Sequence, residues 1–355
     1  MPALSLAMFG PAPALLPATP VPGADFPLVS IPAQALAARL PSAPAAQPHE
    51  RGPPGARDSD FSSVVAQSVA DTVHDWKVPS EEILADHDVI LVGESHQSLA
   101  SVTELARALP GLAKAGVKVL GIEGLKRPNQ EAVDAYISGR ADVLPAEVLS
   151  FSPRRRSAFE ALLKTARETG VRVVALGIPL DAWARQVAEL AAARTGDPFE
   201  TFLRSPGEQL YRAQVGYEPG YNEAVAEVYL TRRNQSMASF LADALIEGAK
   251  AVALAGQNHV AGADAVTLQL VGDPGRWGSV GTELARLGLR AFSLTLTGGR
   301  SVDVDGAQDD RAARPASHAL AAKASPDGAP AFQRTGADTG LYHAGGMVPA
   351  SMVAH

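Results

Sequence analysis

Short apolar runs alternate with longer amphipathic segments between residues 75 and 300 of the chain. The short runs are rich in β-branched residues, which favours strands, whereas apolar positions three or four residues apart in the longer segments favour helices. An alternating order of strands and helices is typical of a parallel sheet covered by helices. We therefore predict one α/β domain over residues 75–300, with a mostly parallel sheet flanked by helices.

The pattern predicts the positions of individual strands and helices. Strands are predicted at 88–93, 117–123, 171–177, 250–256 and 289–296, and helices near 98–115, 156–169 and 222–248. Gly170 and Gly248 stand at the ends of the last two helices, where a left-handed glycine commonly stops a helix.

The two terminal segments lack this pattern. Residues 1–57 contain 13 of the 27 prolines among many alanines, and Gly, Ala, Asp, Ser and Pro dominate after residue 300. Segments of this composition bury too little apolar surface to offset the entropy lost on ordering. We predict a disordered Pro/Ala-rich arm over residues 1–60 and a disordered tail over residues 301–355.

Composition narrows the kinds of function that the domain can have. The formal net charge is −7, so there is no overall positive field to attract nucleic acid. The absence of cysteine excludes disulfides, thiol catalysis and thiolate zinc sites, and it argues against a lipoprotein anchor. We expect a small-molecule or peptide ligand, no transmembrane segment and no clear signal peptide; the compartment and the oligomeric state stay open.

Polar residues follow the strands at their carboxyl ends. Glu94 and His96 follow the first strand, Glu123 ends the second, and Asn258 and His259 follow the fourth. Ligands of open parallel sheets bind outside the carboxyl ends of the strands, where residues distant in sequence meet. The sequence therefore predicts a pocket whose chemistry comes from Glu94, His96, Glu123 and His259.

Two imidazoles and two carboxylates are compatible with two kinds of chemistry. They could perform general acid–base hydrolysis with a bound water, or His96, Glu123 and His259 could hold a divalent metal with an open position. Structural roles are the alternative: the histidines could be solvated or hydrogen-bonded loop residues, and Glu123 could pair with an arginine on a helix.

Arginines at two predicted helix starts are candidates for that pairing. Arg233 and Asn234 lie before the apolar stripe of the helix predicted over residues 229–245. The arginine could hold an anionic ligand or neutralise Glu123. The run PRRRS at 153–157 is more typical of a solvated helix face, with an anion contact as the alternative. The nucleotide-binding patterns GxGxxG and GxxxxGK[ST] and the nucleophile pattern GxSxG are absent.

Four motifs together resemble a known superfamily. LVGESHQS, LGIEG, RRNQSMA and AGQNHVAG occur in this order, and over residues 85–296 the chain resembles the Tiki/ChaN/erythromycin-esterase superfamily. The resemblance implies a parallel α/β fold with its pocket on the carboxyl side of the strands. It also implies which residues line or adjoin that pocket: Glu94, His96, Glu123, His259, Arg233 and Asn234.

The function that this resemblance implies depends on the branch. The Tiki branch resembles metal-dependent peptidases, the erythromycin-esterase branch resembles hydrolases with a histidine-activated water, and the ChaN branch is associated with haem binding and iron uptake. We expect a hydrolase of ester or peptide bonds, with ligand contacts from Arg233, Asn234 and Asn258. The alternatives are a haem- or iron-binding protein and a secreted bacterial effector with residues 1–60 as its leader.

Overall fold

The computed structural model describes residues 76–94, 100–149, 153–205, 208–209, 218–245, 248–260, 277–297 and 331–343. The strands in these residues are β1 (Val89–Glu94), β2 (Val117–Lys126), β3 (Arg172–Gly177), β4 (Lys250–Gly256), β5 (Ala291–Thr297), β6 (Ala331–Arg334) and β7 (Thr339–His343). They form one sheet with the order β3-β2-β4-β1-β5-β7-β6. Neighbouring strands are parallel throughout, except that β6 is antiparallel to β7.

Helices connect the strands. In chain order they are α1 (Ser80–Asp86), α2 (Ala100–Lys114), α3 (Gln130–Ile137), α4 (Pro153–Thr169), α5 (Leu180–Thr195), α6 (Phe199–Phe202), α7 (Pro219–Ala226), α8 (Arg233–Ala244), α9 (Gln257–Val260) and α10 (Val280–Arg286). A 3₁₀ turn, Arg127–Asn129, precedes α3, and a π-helical turn, Glu227–Arg232, joins α7 to α8. Within the described part of the chain, no helix has the length and hydropathy needed to cross a membrane.

The central strands are buried on both faces, because helices cover both sides of the sheet. Ile90 and Val92 of β1 pack in one apolar cluster with residues of α2 and α4, such as Leu105 and Phe159. The alternate residues of β1 pack in a second cluster with α8 and α10. Parallel sheets covered in this way carry nearly continuous apolar strands, which explains why the pattern was readable from sequence.

The structure confirms the predicted fold class, a mostly parallel α/β sheet flanked by helices. All five predicted strands are present within three residues of their expected bounds. Gly170 directly follows α4 with a φ of 69°, as expected for a left-handed residue that ends a helix. Gly248 also has a positive φ, 77°, but α8 already ends at Ala244, so the prediction that Gly248 ends this helix is wrong. The predicted arm over residues 1–60 lies outside the described residues.

The strands β6 and β7 correct one part of the prediction. They lie within residues 301–355, which the sequence predicts to be disordered, so the prediction of a disordered tail is wrong for 331–343. These strands are four and five residues long, too short for a periodic signal, and their order comes from pairing with the edge of β5. The buried imidazole of His87 fixes the turn between them, with its Nε2 2.9 Å from Asp338 Oδ1.

A second correction concerns the helix predicted near 222–248. The structure divides it into α7, the π-helical turn and α8. A π-helical turn inserts an extra residue into a helix and often occurs at functional sites. Here it changes the direction of the side chains that precede Arg233.

We predict that Gly121→Val destabilises the fold. A Cβ atom at Gly121 of β2 would lie 2.7 Å from Leu241 Cδ2 and 2.8 Å from Leu176 Cδ1, so a larger side chain must displace these two leucine side chains within the packed core. Overpacking of this kind costs about 1–3 kcal/mol, measurable by urea denaturation.

Gly111→Ala is the matched control. Gly111 lies within α2, and a Cβ atom there would have no atom within 4 Å. Replacing a helical glycine by alanine should therefore raise the free energy of unfolding by about 0.5–1 kcal/mol. Equal stability of the Gly121→Val and wild-type proteins would contradict the packing described here.

Candidate functional site

A buried carboxylate at the end of β2 is the centre of the candidate site. Glu123 is 3% exposed. Its Oε2 accepts a hydrogen bond of 2.6 Å from the backbone N–H of Gly256, which ends the neighbouring strand β4. Its Oε1 accepts a hydrogen bond from the guanidinium of Arg233, the first residue of α8. The side chain therefore joins two strand ends and one helix start.

An asparagine orients the imidazole beside this carboxylate. His259 of α9 is fully buried, and its Nδ1 lies 2.7 Å from Asn234 Oδ1. Asn234 Nδ2 donates to the carbonyl of Gly278 at 2.7 Å, so its oxygen must be the atom that faces the ring. The imidazole then carries its proton on Nδ1, and its Nε2 lies 3.4 Å from Glu123 Oε1.

Two aromatic rings hold the guanidinium of Arg233. Its Cζ lies 5.1 Å from the ring centre of Trp183 in α5 and 5.0 Å from that of Tyr229 in the π-helical turn. Contacts of this geometry attract a cation to the ring face. The Tyr229 ring also packs against the His259 imidazole, with 4.8 Å between ring centres.

Burial keeps the phenol of Tyr229 in its protonated form. Burial is the largest influence and raises its pKa, and the carboxylate of Glu123 acts in the same direction. The guanidinium of Arg233 and a hydrogen bond with the Asn258 side chain oppose this rise only in part. Tyr229 is therefore a neutral hydrogen-bonding group beside the imidazole at any pH near neutrality.

A β-bulge shapes the end of β2. Ile122 pairs with Ala175 of β3, but the next pair is Lys126 with Gly177, so β2 advances four residues while β3 advances two. A side chain at Gly177 would collide with the backbone of the bulge, including Leu125 O at 2.8 Å. Bulges beside functional sites commonly redirect side chains.

The second predicted carboxylate forms a separate ion pair. Glu94 at the end of β1 is buried, and its Oε1 accepts a hydrogen bond of 2.7 Å from Arg155 Nη2 of α4. Their side chains are 1% and 11% exposed. The interpretation of the PRRRS run as a solvated face is therefore wrong for Arg155.

The structure brings together most of the predicted site residues that it describes. Glu123, His259, Arg233 and Asn234 form one connected group, and Asn258 reaches it through Tyr229. Glu94 lies on β1, which β4 separates from the strand of Glu123, and it pairs in register with Gly256 of β4.

His96 lies outside the described residues, so the predicted metal set of His96, Glu123 and His259 stays a prediction. Among the residues that are described, no three His, Asp or Glu side chains form a group that could hold a metal.

Sequence reasoning missed the aromatic residues of this group. Tyr229 precedes Arg233 by four residues on what was predicted as one helix, a spacing that places two side chains on the same face. That spacing was the available signal. Nothing in the sequence pattern around Trp183 distinguishes it from an ordinary core residue of α5.

We predict that the buried pair of Glu123 and Arg233 is strongly coupled in stability. Removing one partner leaves an uncompensated buried charge, so Arg233→Met should lower the free energy of unfolding by about 3–5 kcal/mol. The double substitution Glu123→Gln/Arg233→Met should cost less than the sum of the single changes. Urea denaturation of the four proteins measures this coupling.

An exposed ion pair serves as the control for that cycle. Lys164 and Glu168 are 3.8 Å apart on α4, with side chains 70% and 61% exposed. Breaking such a pair should change stability by less than about 1 kcal/mol. A coupling at Glu123 and Arg233 no larger than this would contradict the described burial.

Solved structures similar to this chain include proteins of several bacteria. ChaN of Campylobacter jejuni, solved with cofacial haem, is 12% identical over 65% of this chain and 89% of its own, with a TM-score of 0.40. The RRSP effector domain of a Vibrio vulnificus MARTX toxin is 22% identical over 57% of this chain and 36% of its own, with a TM-score of 0.35.

Coverage of the larger relatives is partial. The chain spans about two fifths of the length of the bacterial toxin structures that it matches. No curated protein matches the sequence.

The profile of one protein family matches residues 82–270, which is more than half of the 355 residues and includes every predicted site residue. The chain therefore belongs to the family described as haem-binding uptake, Tiki superfamily, ChaN.

Proposed function

We propose that the chain is a hydrolase of ester or peptide bonds in which His259 acts as the general base. The observation that carries this proposal is the chain of contacts from Asn234 through His259 to Glu123. A base that an amide orients through one ring nitrogen, with the other nitrogen taking up and returning the proton, is a recurring arrangement in hydrolases.

The contacts define a direction for proton transfer. Asn234 keeps the proton on Nδ1, so Nε2 is the atom that accepts a proton from the attacking water. The resulting hydroxide adds to the acyl carbon, and Nε2–H later returns the proton to the leaving group. The carboxylate of Glu123, 3.4 Å from Nε2, stabilises the imidazolium that exists between these steps.

Arg233 provides the positive charge that a metal would otherwise bring to Glu123. Its guanidinium already binds Oε1, and Oε2 accepts the N–H of Gly256. A divalent cation at this carboxylate would be repelled by Arg233 at short range. We therefore propose the version without a metal. In it, Glu94 stays paired with Arg155 and serves as a positioning residue rather than as a base.

We predict that His259→Ala lowers kcat for a generic ester or peptide substrate by about 10²–10⁴-fold, because the base is removed. Asn234→Ala should lower kcat less, and Asn234→Asp should retain more activity than Asn234→Ala because it keeps an oxygen facing Nδ1. His96→Ala belongs in the same series, since His96 is a predicted partner in the pocket.

Gln235→Ala is the control in this series, because Gln235 is exposed and adjacent to Asn234 on α8. Circular dichroism should show the same fold for every variant. Full activity in both His96→Ala and His259→Ala would end the hydrolase proposal.

Chelation separates the proposed version from a metal-dependent one. We predict that dialysis against EDTA leaves both activity and metal content unchanged, because Arg233 and not a cation neutralises Glu123. Loss of activity on dialysis, with recovery on adding zinc or manganese, would instead favour the set of His96, Glu123 and His259.

Haem binding is a second candidate, and the family description favours it. The two histidine side chains that the structure describes do not fit an iron ligand. His87 has both ring nitrogens in 2.9 Å contacts, and His259 has Nδ1 bonded to Asn234 and Nε2 3.4 Å from Glu123 Oε1. Haemin titration tests this candidate: a Soret band retained at one haem per chain through gel filtration would support it.

A further inference from the structure

The bulge in β2 changes which residues share a face of the sheet. In a regular strand, residues three positions apart point to opposite faces. Ile122 and Leu125 nevertheless pack in the same apolar cluster, on the face covered by α2 and α4. The bulge has therefore inverted the alternation, and it leaves Lys126 on the same side as Glu123, facing α8.

Lys126 is a partly buried cation beside a second cation. Burial is the largest influence on its pKa and lowers it, and the nearby guanidinium of Arg233 lowers it further. The carboxylate of Glu123 acts in the opposite direction without restoring the ordinary value. Among the described residues, the side chain of Lys126 forms no hydrogen bond or ion pair.

Among the described residues, the charges around Glu123 do not balance. One carboxylate, that of Glu123, faces two cations, Arg233 and Lys126, while Glu94 and Arg155 form an ion pair at the end of β1, two strands from β2. Holding two like charges together in a partly buried place costs free energy unless an anion compensates them. The Arg233 guanidinium is already engaged by Glu123, so Lys126 is the group available to a ligand.

We propose that Lys126 is the anchor of an anion subsite at the end of β2, which holds a carboxylate or phosphate group of the substrate next to His259. This inference deepens the proposed function and rests on it for the identity of the bound molecule as a substrate. The compact ammonium of a lysine binds either kind of anionic oxygen as a point charge.

The test uses two simple anions as probes. The full chain is titrated with inorganic phosphate and with acetate at low ionic strength and followed by isothermal titration calorimetry. We expect saturable binding of at least one probe, and a dissociation constant at least about tenfold higher for Lys126→Met, which keeps the length of the side chain and removes its charge. Lys126→Arg, which keeps the charge, should retain binding.

Lys118→Met is the matched control, because Lys118 lies on the same strand with its side chain exposed. It should bind both probes as the wild type does. Tighter binding of phosphate than of acetate would identify a phosphate-bearing substrate, and the reverse order would identify a carboxylate. Absence of saturable binding, or equal binding by Lys126→Met and wild type, overturns the proposal.

The outcome is separable from that of the hydrolase proposal. Anion binding does not require proton transfer, so His259→Ala should still bind the probes. If Lys126-dependent binding occurs and no ester or peptide is cleaved, the subsite stands and the hydrolase proposal fails. If uncharged esters are cleaved and neither anion binds, the hydrolase proposal stands and the subsite fails.

Discussion

Burying a carboxylate at the end of a parallel strand imposes the arrangement of the whole site. Glu123 can remain charged at 3% exposure only if each oxygen is compensated, and the compensation comes from two other elements: the N–H of Gly256 on β4 and the guanidinium of Arg233 on α8. Each partner is brought to the same edge by parallel strand order. The carboxylate thus couples packing of the sheet to placement of the imidazole.

Two local irregularities lie beside the buried carboxylate. The π-helical turn at Glu227–Arg232 contains Tyr229, which packs against both Arg233 and His259, and the bulge in β2 turns Lys126 to the side of Glu123. Both deviations interrupt regular hydrogen bonding, which is unfavourable unless the surroundings compensate it. Their position beside the buried carboxylate is consistent with their being retained for the site rather than for the fold.

The regular part of the molecule could be predicted from sequence, and the irregular part could not. Continuous apolar strands with polar residues at their carboxyl ends predicted the five parallel strands and the grouping of Glu123 with His259, because strand direction alone determines that edge. Arg233 and Asn234 were predicted beside them from the start of a helix and from the family resemblance. The strands β6 and β7 were missed because their order depends on pairing with β5, a distant contact with no periodic signature. The role of Lys126 was missed because the bulge in β2 shifts the side-chain period. Tyr229 was missed although its four-residue spacing from Arg233 was visible in the sequence.

The charge of the described residues around Glu123 is opposite in sign to the net charge of the chain. The whole protein carries a formal charge of −7, yet the described residues around Glu123 leave an excess of positive charge. A negatively charged surface repels anions at long range, so an anionic substrate would gain little from steering and must be selected by short-range contacts inside the site. Such selection requires cationic side chains that keep their positions when the ligand binds. The aromatic rings on Arg233 and the bulge beneath Lys126 provide that restraint.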